Sequence, residues 1–331
     1  MSYAGVWTLS EQKNGKIHPV SYELLNRGKS LAQKLDVALS TVVLANNIPD
    51  SDLQELIYRG ADQVYLVSHP QLEHFLVEPY QKSLQFLIEQ YRPEIFIAAA
   101  TTTGRTIMPY LASKIHAGLT ADCTTLDIEP ETRNLLQIRP AIGGNILATI
   151  KTPTARPQMA TVRPKSMKPA PRDPNRKGCI IPVDVPAENM QSRIVYEDFV
   201  PDTSQEVAIE DADVIVAGGR ALNKAENIAL INDLAEAISA ALGASREVID
   251  RGWLAYPHQI GLSGKTVAPK LYFAIGISGA IQHLAGMQTA ENIIAINNDA
   301  DAQIFRVADF GLVGDLFEIL PRLTEKIKTL K

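Results

Sequence analysis

The sequence predicts an α/β protein built as two doubly wound domains with mostly parallel sheets. Three observations predict it. Short β-branched runs alternate with segments of helical spacing through the N-terminal part. The same alternation restarts near Asp213, after a proline-rich stretch and a polar linker. A chain of 331 residues, 46% of them apolar, is long enough for two cores of ordinary domain size. Strand-helix alternation gives parallel strands covered on both faces.

In the first part, Val6–Leu9, Thr41–Leu44, Val64–Val67 and Ile95–Ala99 read as strands. Between them, Tyr22–Leu35, Leu53–Tyr58 and Leu84–Tyr91 carry helical spacing. Thr101-Thr102-Thr103-Gly104-Arg105 follows the Ile95–Ala99 strand, where a threonine cap on the next helix is favoured over a ligand site. Eight prolines fall between Pro153 and Pro186, so this stretch reads as irregular chain or edge strands. Ser192–Phe199 reads as a last strand. These elements predict a first domain over 1–200, a hinge over 201–206 within polar Val200–Glu206, and a second domain over 207–331.

The second part opens with a strand at Asp213–Ala217 and then Gly218-Gly219-Arg220. This is a loose relative of a dinucleotide turn without the full G-x-G-x-x-G, and Arg220 alone reads more readily as a surface arginine. Ile228, Ile231, Ala235, Ile238 and Leu242 recur every three or four residues. They predict one long helix stopped by Gly243. Gly243-Ala244-Ser245-Arg246 then reads as a helix end with a solvated arginine. His258 to Lys265 is a polar loop whose glycines permit close approach to a planar ligand.

Leu271 to Asn297 is the most particular stretch. It predicts a strand (Leu271–Ile275), a turn with glycine at both ends (Gly276-Ile277-Ser278-Gly279), a helix (Ala280–Ala285) and a second strand (Ile293–Ile296). A turn of this kind exposes backbone N–H groups at a helix start, where an anionic phosphate is held. Leu316, Leu320, Leu323 and Ile327 mark a C-terminal helix, with Lys326 and Lys328 near its negative dipole end.

Composition narrows the function. Net charge is −5, without the clustered positive charge of a nucleic-acid footprint. No apolar run is long enough for a membrane span. The opening residues look like a first strand and not a leader. Cys123 and Cys179 form no Cys-x-x-Cys pair, which fits a reduced, cytoplasmic setting. The six histidines show no metal spacing, and neither a Ser/His/Asp arrangement nor a paired-carboxylate site stands out.

Several weak signals recur in one order and spacing that resembles the alpha subunit of electron transfer flavoproteins (ETF). They are Arg220, Ser245-Arg246, the Gln259–Gly264 loop, Gly276–His283, Asn297 and Gly314-Asp315-Leu316. In the first part, Pro93-Glu94-Ile95, Gly118–Cys123 and Met159–Pro164 are also similar to that family. The resemblance covers essentially the whole chain. It implies a Rossmann-like second domain holding one FAD, and a first domain that packs with a beta subunit as a base. The FAD domain is expected to swivel on that base.

Residue by residue, the resemblance implies that Arg246 lies against the isoalloxazine. Ser263 would donate to flavin N5, and His283 would be a donor at the C2 carbonyl. These three are the expected catalytic residues. Ser278, Gly279, Ala280, Ile281 and Gln282 would hold the pyrophosphate. Asn297 would lie on the ribityl-phosphate side and Asp315-Leu316 around the adenosine end. Arg220 would flank the flavin, and Ser245 with Gln259, Ile260, Gly261, Leu262 and Gly264 would complete the cofactor site; no metal is expected.

Gly261-Leu262-Ser263-Gly264 departs from the Gly-Gln-Thr-Gly typical of members that bridge acyl-CoA dehydrogenases to a respiratory quinone reductase. The Leu-Ser form, with Gly5-Val6-Trp7 through Leu25, is closer to anaerobe members. Those oxidise NADH and bifurcate its electrons between an acyl-CoA dehydrogenase and ferredoxin or flavodoxin. A second FAD, or an AMP, is then expected in the beta subunit. A non-bifurcating ETF and a nicotinamide-nucleotide binding module are the alternative readings; the missing acidic residue after a full glycine fingerprint disfavours the latter.

Overall fold

A computed structural model describes residues 3–141, 146–198 and 209–330. The chain divides into two compact units, the first ending at Phe199 and the second running from Val200 to Lys331. The expected hinge at 201–206 lies outside the described residues.

In the first unit, β1 (Val6–Ser10) leads through a two-residue hairpin, β2 (Gln12–Lys13) and β3 (Lys16–Ile17), into α1 (Val20–Leu35). Then come β4 (Leu39–Ala45), α2 (Asp50–Tyr58), β5 (Gln63–Ser68), α3 (Val77–Tyr91), β6 (Ile95–Ala99) and α4 (Thr102–Lys114). The remaining strands are β7 (Leu119–Cys123), β8 (Thr125–Ile128), β9 (Leu135–Ala141), β10 (Ile146–Ile150), β11 (Gln158–Val162) and β12 (Cys179–Pro182).

The main sheet runs β12-β5-β4-β1-β6-β11-β7, all pairs parallel. Strands buried on both faces favour continuous apolar runs; β6 is one, and β4 is buried throughout with its Ser40 and Thr41 hydroxyls hydrogen-bonded to Gln63 and Thr8. β8, β9 and β10 form a separate three-stranded sheet. Thr101 caps α4, its hydroxyl accepting from Gly104 N at 3.1 Å. That hydroxyl donates to Glu11 Oε1 at 2.6 Å, between the ends of β6 and β1.

Two expectations fail here. The proline-rich stretch does contain an edge strand, β12, but it also supplies β11, fully buried between β6 and β7. Its prolines flank the strand and leave Gln158–Val162 free to pair on both sides. Residues 192–198 form no strand. Ile194 and Val195 are exposed, so this apolar run has no sheet neighbour to cover it.

The second unit contains β13 (Val214–Gly218), α5 (Ile228–Ala237), β14 (Ala241–Ala244), α6 (Arg246–Asp250), β15 (Leu271–Ile275), α7 (Ile281–Leu284), β16 (Ile293–Asn297), β17 (Phe310–Val313) and α8 (Leu316–Leu330). Its sheet is parallel throughout, in the order β14-β13-β15-β16-β17. The expected long helix breaks after Ala237. Ser239 takes φ 55°, and Ala241–Ala244 pairs with β13 instead. Leu242 kept the helical spacing by coincidence, and pairing with Val216 outweighs the helix propensity of the alanines. Gly243 is therefore not a helix stop. A Cβ there would lie 2.5 Å from Ile260 Cδ1, so its role is tight packing.

Candidate functional site

The second sheet winds from β13 to β14 in one direction and from β13 through β15 and β16 to β17 in the other. The strand order reverses between β13 and β15. In such sheets, ligands bind beyond the carboxyl ends of the strands at that reversal. A cleft of about 810 Å³ lies there. Its walls come from the residues that follow β13 (Arg220, Ala221, Asn223), β14 (Ser245, Arg246, Glu247), β15 (Gly276–Ser278) and β16 (Asn297–Asp299). Residues scattered over 80 positions converge because all four strands are parallel and end on one edge.

Two turns meet backbone to backbone at the reversal. Gly219 N donates to Ile275 O at 2.8 Å, and a Cβ on Gly219 would lie 2.1 Å from Gly276 O. Gly276 itself has φ 61°. Glycine at 219 thus serves the close crossing of chains. Asn297 braces the same turn, donating to Ile277 O at 3.0 Å and accepting from Asp299 N at 3.0 Å.

The Gln259–Lys265 loop forms another wall. It bridges the end of β14 and is laced to α7 by Leu262 N donating to Gln282 O at 2.7 Å. The buried Gln259 amide donates to Ser263 Oγ at 3.0 Å, which leaves the serine proton for another acceptor. His283, buried beneath the loop, has partners at both ring nitrogens. Nδ1 lies 3.1 Å from Ile260 O and Nε2 lies 2.9 Å from Tyr272 Oη. Burial pushes its pKa down to about 4, against the raising effect of the Ile260 carbonyl. The ring is neutral near pH 7.

Charge is concentrated on one side of the cleft. Arg220, Arg246 and Arg251 line it, interleaved with acids on α6. Glu247 pairs with Arg251 at 3.0 Å and with Arg220 at 3.8 Å; Arg246 pairs with Asp250 at 3.2 Å. No group of three or more His, Cys, Asp or Glu side chains suited to a metal exists among the described residues.

Comparison with known families decides the identity of this arrangement. Residues 6–188 match the electron transfer flavoprotein domain, and residues 208–288 match the electron transfer flavoprotein FAD-binding domain. The chain belongs to the ETF alpha-subunit family. It is 45% identical to the ETF subunit alpha of Thermoanaerobacterium thermosaccharolyticum, covering 99% of both chains. It is 41% identical to the FixB protein of Clostridium saccharobutylicum, over 99% of this chain and 97% of that one. It is also 39% identical to subunit LctC of the lactate dehydrogenase (NAD(+),ferredoxin) of Acetobacterium woodii, over 98% of this chain and 77% of that one. The second unit is thus the family's flavin-binding domain, and the parallel α/β architecture of both units agrees with the family.

The ETF resemblance named a set of residues, most of which meet in the cleft. Arg220, Ser245, Arg246, Ile260, Gly261, Leu262, Ser263, Ser278, Ala280, Gln282, His283 and Asn297 line it. Gln259 and Gly264 lie behind the wall; a Cβ on Gly264 would meet Gln259 O at 2.3 Å. Gly279 packs against Ile304 N, and Ile281 points outward, well exposed. Asp315 and Leu316 line a second hollow of about 230 Å³ that shares Ala221, Asn223, Gly276 and Asn298 with the cleft.

His283 lies in the cleft wall with both ring nitrogens near protein atoms, Nδ1 near Ile260 O and Nε2 near Tyr272 Oη. Sequence reasoning missed Asn223, Glu247, Arg251, Trp253, Asn298 and Asp299. Asn298 and Asp299 were findable, since they follow β16 on the binding edge. Glu247 and Arg251 carry the i, i+4 spacing of an ordinary solvated helix face, which hides their position.

The cleft fits a flavin dinucleotide by size, since cofactor sites run from about 300 to 1,000 Å³. It fits by chemistry as well, with arginines and a glycine-bounded turn for anionic groups and a loop of close-packed glycines for a planar ring.

Proposed function

We propose that this chain carries electrons by means of one FAD held in the cleft, as the alpha member of a heterodimer with an ETF beta subunit. The observation that carries the reading is the convergence of Arg220, Arg246, Ser263, the Gly276–Gly279 turn and Asn297 on one sheet edge. FAD, when bound, supplies one- and two-electron redox chemistry. The chain's own residues bind, orient and tune it.

In this reading Ser278–Gln282 hold the pyrophosphate, where helix-start N–H groups and the dipole favour an anion. Asn297 keeps that turn in shape, and Asp315-Leu316 serve the adenosine end. Ser263, its oxygen already satisfied by Gln259, offers its proton to flavin N5. Arg246 and Arg220 favour the negative charge that reduction places on the ring. His283 contributes a neutral, fixed wall.

The partners follow from the same reading. Electrons pass to or from an acyl-CoA dehydrogenase-type flavoenzyme. NADH oxidation through the beta subunit, with ferredoxin or flavodoxin as second acceptor, is supported by Gly261-Leu262-Ser263-Gly264 and by the relative named for NAD(+) and ferredoxin. A second FAD, or AMP, then belongs to the beta subunit. The polar 201–206 segment is proposed as the hinge between domains. Among the described residues, no helix is long and apolar enough to cross a membrane.

The test is co-purification with the beta subunit, followed by quantified FAD release and electron transfer from NADH to a dehydrogenase and to ferredoxin. A colourless heterodimer refutes the flavin reading. One FAD in total, with no NADH-dependent ferredoxin reduction, refutes bifurcation and leaves simple electron carriage.

A further inference from the structure

Tyr272 lies on β15 with its side chain fully buried, in the core beneath the cleft. A buried phenol needs a partner for its hydroxyl. Here the partner is His283 Nε2 at 2.9 Å. The other ring nitrogen, Nδ1, lies 3.1 Å from the Ile260 carbonyl. A carbonyl only accepts, so Nδ1 carries the hydrogen. A neutral imidazole has one N–H, so Nε2 is a lone pair and Tyr272 is the donor.

We propose that Tyr272 is a positioning residue for the flavin site: its hydroxyl donates to the Nε2 lone pair of the Nδ1–H tautomer of His283, and through that ring it pins the Ser263-bearing loop against α7. The inference rests on the flavin reading for its purpose, and on the protein's own hydrogen bonds for its geometry.

The chain of bonds runs one way, from Tyr272 to His283 to Ile260. Neither member has a mobile proton. Burial raises the tyrosine pKa well above its ordinary value and lowers that of the histidine. The cleft is therefore walled by an imidazole that neither charges nor donates. The same ring joins three elements: β15 through Tyr272, α7 through its own backbone, and the loop through Ile260. The backbones beneath it are already close, since a Cβ on Gly286 would lie 2.4 Å from Gly261 N. A loop held this way keeps Ser263 at a fixed place relative to the Gly276–Gly279 turn. That fixity is what a hydrogen bond to a flavin atom requires.

Tyr272→Phe tests the hydroxyl alone, because the ring and its packing are retained. Imidazole ¹⁵N–¹H spectra of the chain, ¹⁵N-labelled at histidine and co-purified with its beta subunit, report the tautomer with and without FAD. In the parent chain His283 is expected to show a protonated Nδ1 and an unprotonated Nε2. In Tyr272→Phe, Nδ1 stays protonated against the Ile260 carbonyl, the Nε2 signal moves toward that of a lone pair without a donor, and FAD leaves about tenfold faster, the equivalent of one buried hydrogen bond of about 1.4 kcal/mol.

An Nε2–H tautomer or an imidazolium in the parent chain overturns the proposal. So does a Tyr272→Phe chain with unchanged imidazole signals, FAD release and first reduction potential. If the variant does not fold, the parent spectrum still decides the tautomer. A heterodimer that shows the tautomer but takes up no FAD refutes the flavin reading and leaves the Tyr272–His283 geometry standing.

Discussion

Arg246 and Asp250 sit one turn apart on α6, with the guanidinium Nε donating to the Asp250 carboxylate at 3.2 Å. The cation that lines the cleft is thus shared with an acid that does not line it. This predicts shifts of opposite sign. Arg246→Ala removes a positive charge and lowers the first reduction potential of the flavin. Asp250→Asn removes the competing negative charge and raises it.

A unit charge about 4 Å away is worth from ~1 kcal/mol in water to ~4 kcal/mol at an effective dielectric near 20. That is roughly 40 to 170 mV for one electron. The Arg246 side chain is 66% exposed, so the low end is expected. Stepwise reductive titration of both variants reads the two shifts. Shifts of the same sign, or none, remove Arg246 from the flavin's surroundings.

Gly219→Ala should damage the site through shape alone. The added Cβ would lie 2.1 Å from Gly276 O and 2.6 Å from its carbonyl carbon, where only backbone can yield. Overpacking of this kind costs about 1–3 kcal/mol. The Gly276–Gly279 turn, proposed to hold the pyrophosphate, moves with Gly276, so FAD content should fall with stability. Denaturant midpoints and bound flavin measured on the same preparation check this. Full FAD content at parental stability contradicts it.

The two units should respond to pH in opposite directions. In the first, burial raises Glu11 and Glu23 to about 7, against hydrogen bonds from the Thr101 hydroxyl and from Lys165 N respectively. A raised carboxylate binds its proton more tightly when folded. Its contribution is present below the unfolded value near 4.5 and is lost as pH rises through about 7. In the second, His283 is lowered from 6.5 to about 4. Its contribution is present above 6.5 and is lost as pH falls toward 4.

Each unit holds one tryptophan, Trp7 in the first and Trp253 in the second. Trp253→Phe and Trp7→Phe therefore give single reporters. Between pH 7 and 5, the Trp7 midpoint should rise with acidification and the Trp253 midpoint should fall. Parallel slopes would sink this assignment.

Assembly should govern cofactor loading. Ile146 and Leu147 on β10, and Phe310, Leu312 and Val313 on the edge strand β17, are exposed apolar side chains. Expressed alone, the chain should be poorly soluble or poor in FAD, and co-expression with a beta subunit should restore both. A soluble single chain with full FAD counts against the heterodimer.

Much of the fold was legible because parallel sheets write their strands as unbroken apolar runs. β15, α7 and β16 follow the pattern of Leu271–Asn297 closely. Edge and irregular strands were harder. β17 is exposed at every residue, so it carries no core pattern. β11 was masked by flanking prolines that its own five residues do not contain. α5 was overextended because Leu242 continues a helical rhythm while pairing in a sheet. The cleft was legible through glycine spacing and family likeness. The setting of His283 was not, because its ring partners, Ile260 and Tyr272, lie far from it in sequence, on the loop and on a neighbouring strand.

The contact between Gly219 and Gly276 has a consequence for inheritance. The two positions lie far apart in the gene, yet their backbones share one crossing with no room for a side chain at 219. A lineage that gains a side chain at either place has to reshape the other turn before the protein is sound again. Substitutions at 219 and 276 should therefore arrive in pairs among descendants of this sequence, and a variant library screened for bound flavin should recover double changes where the single ones fail.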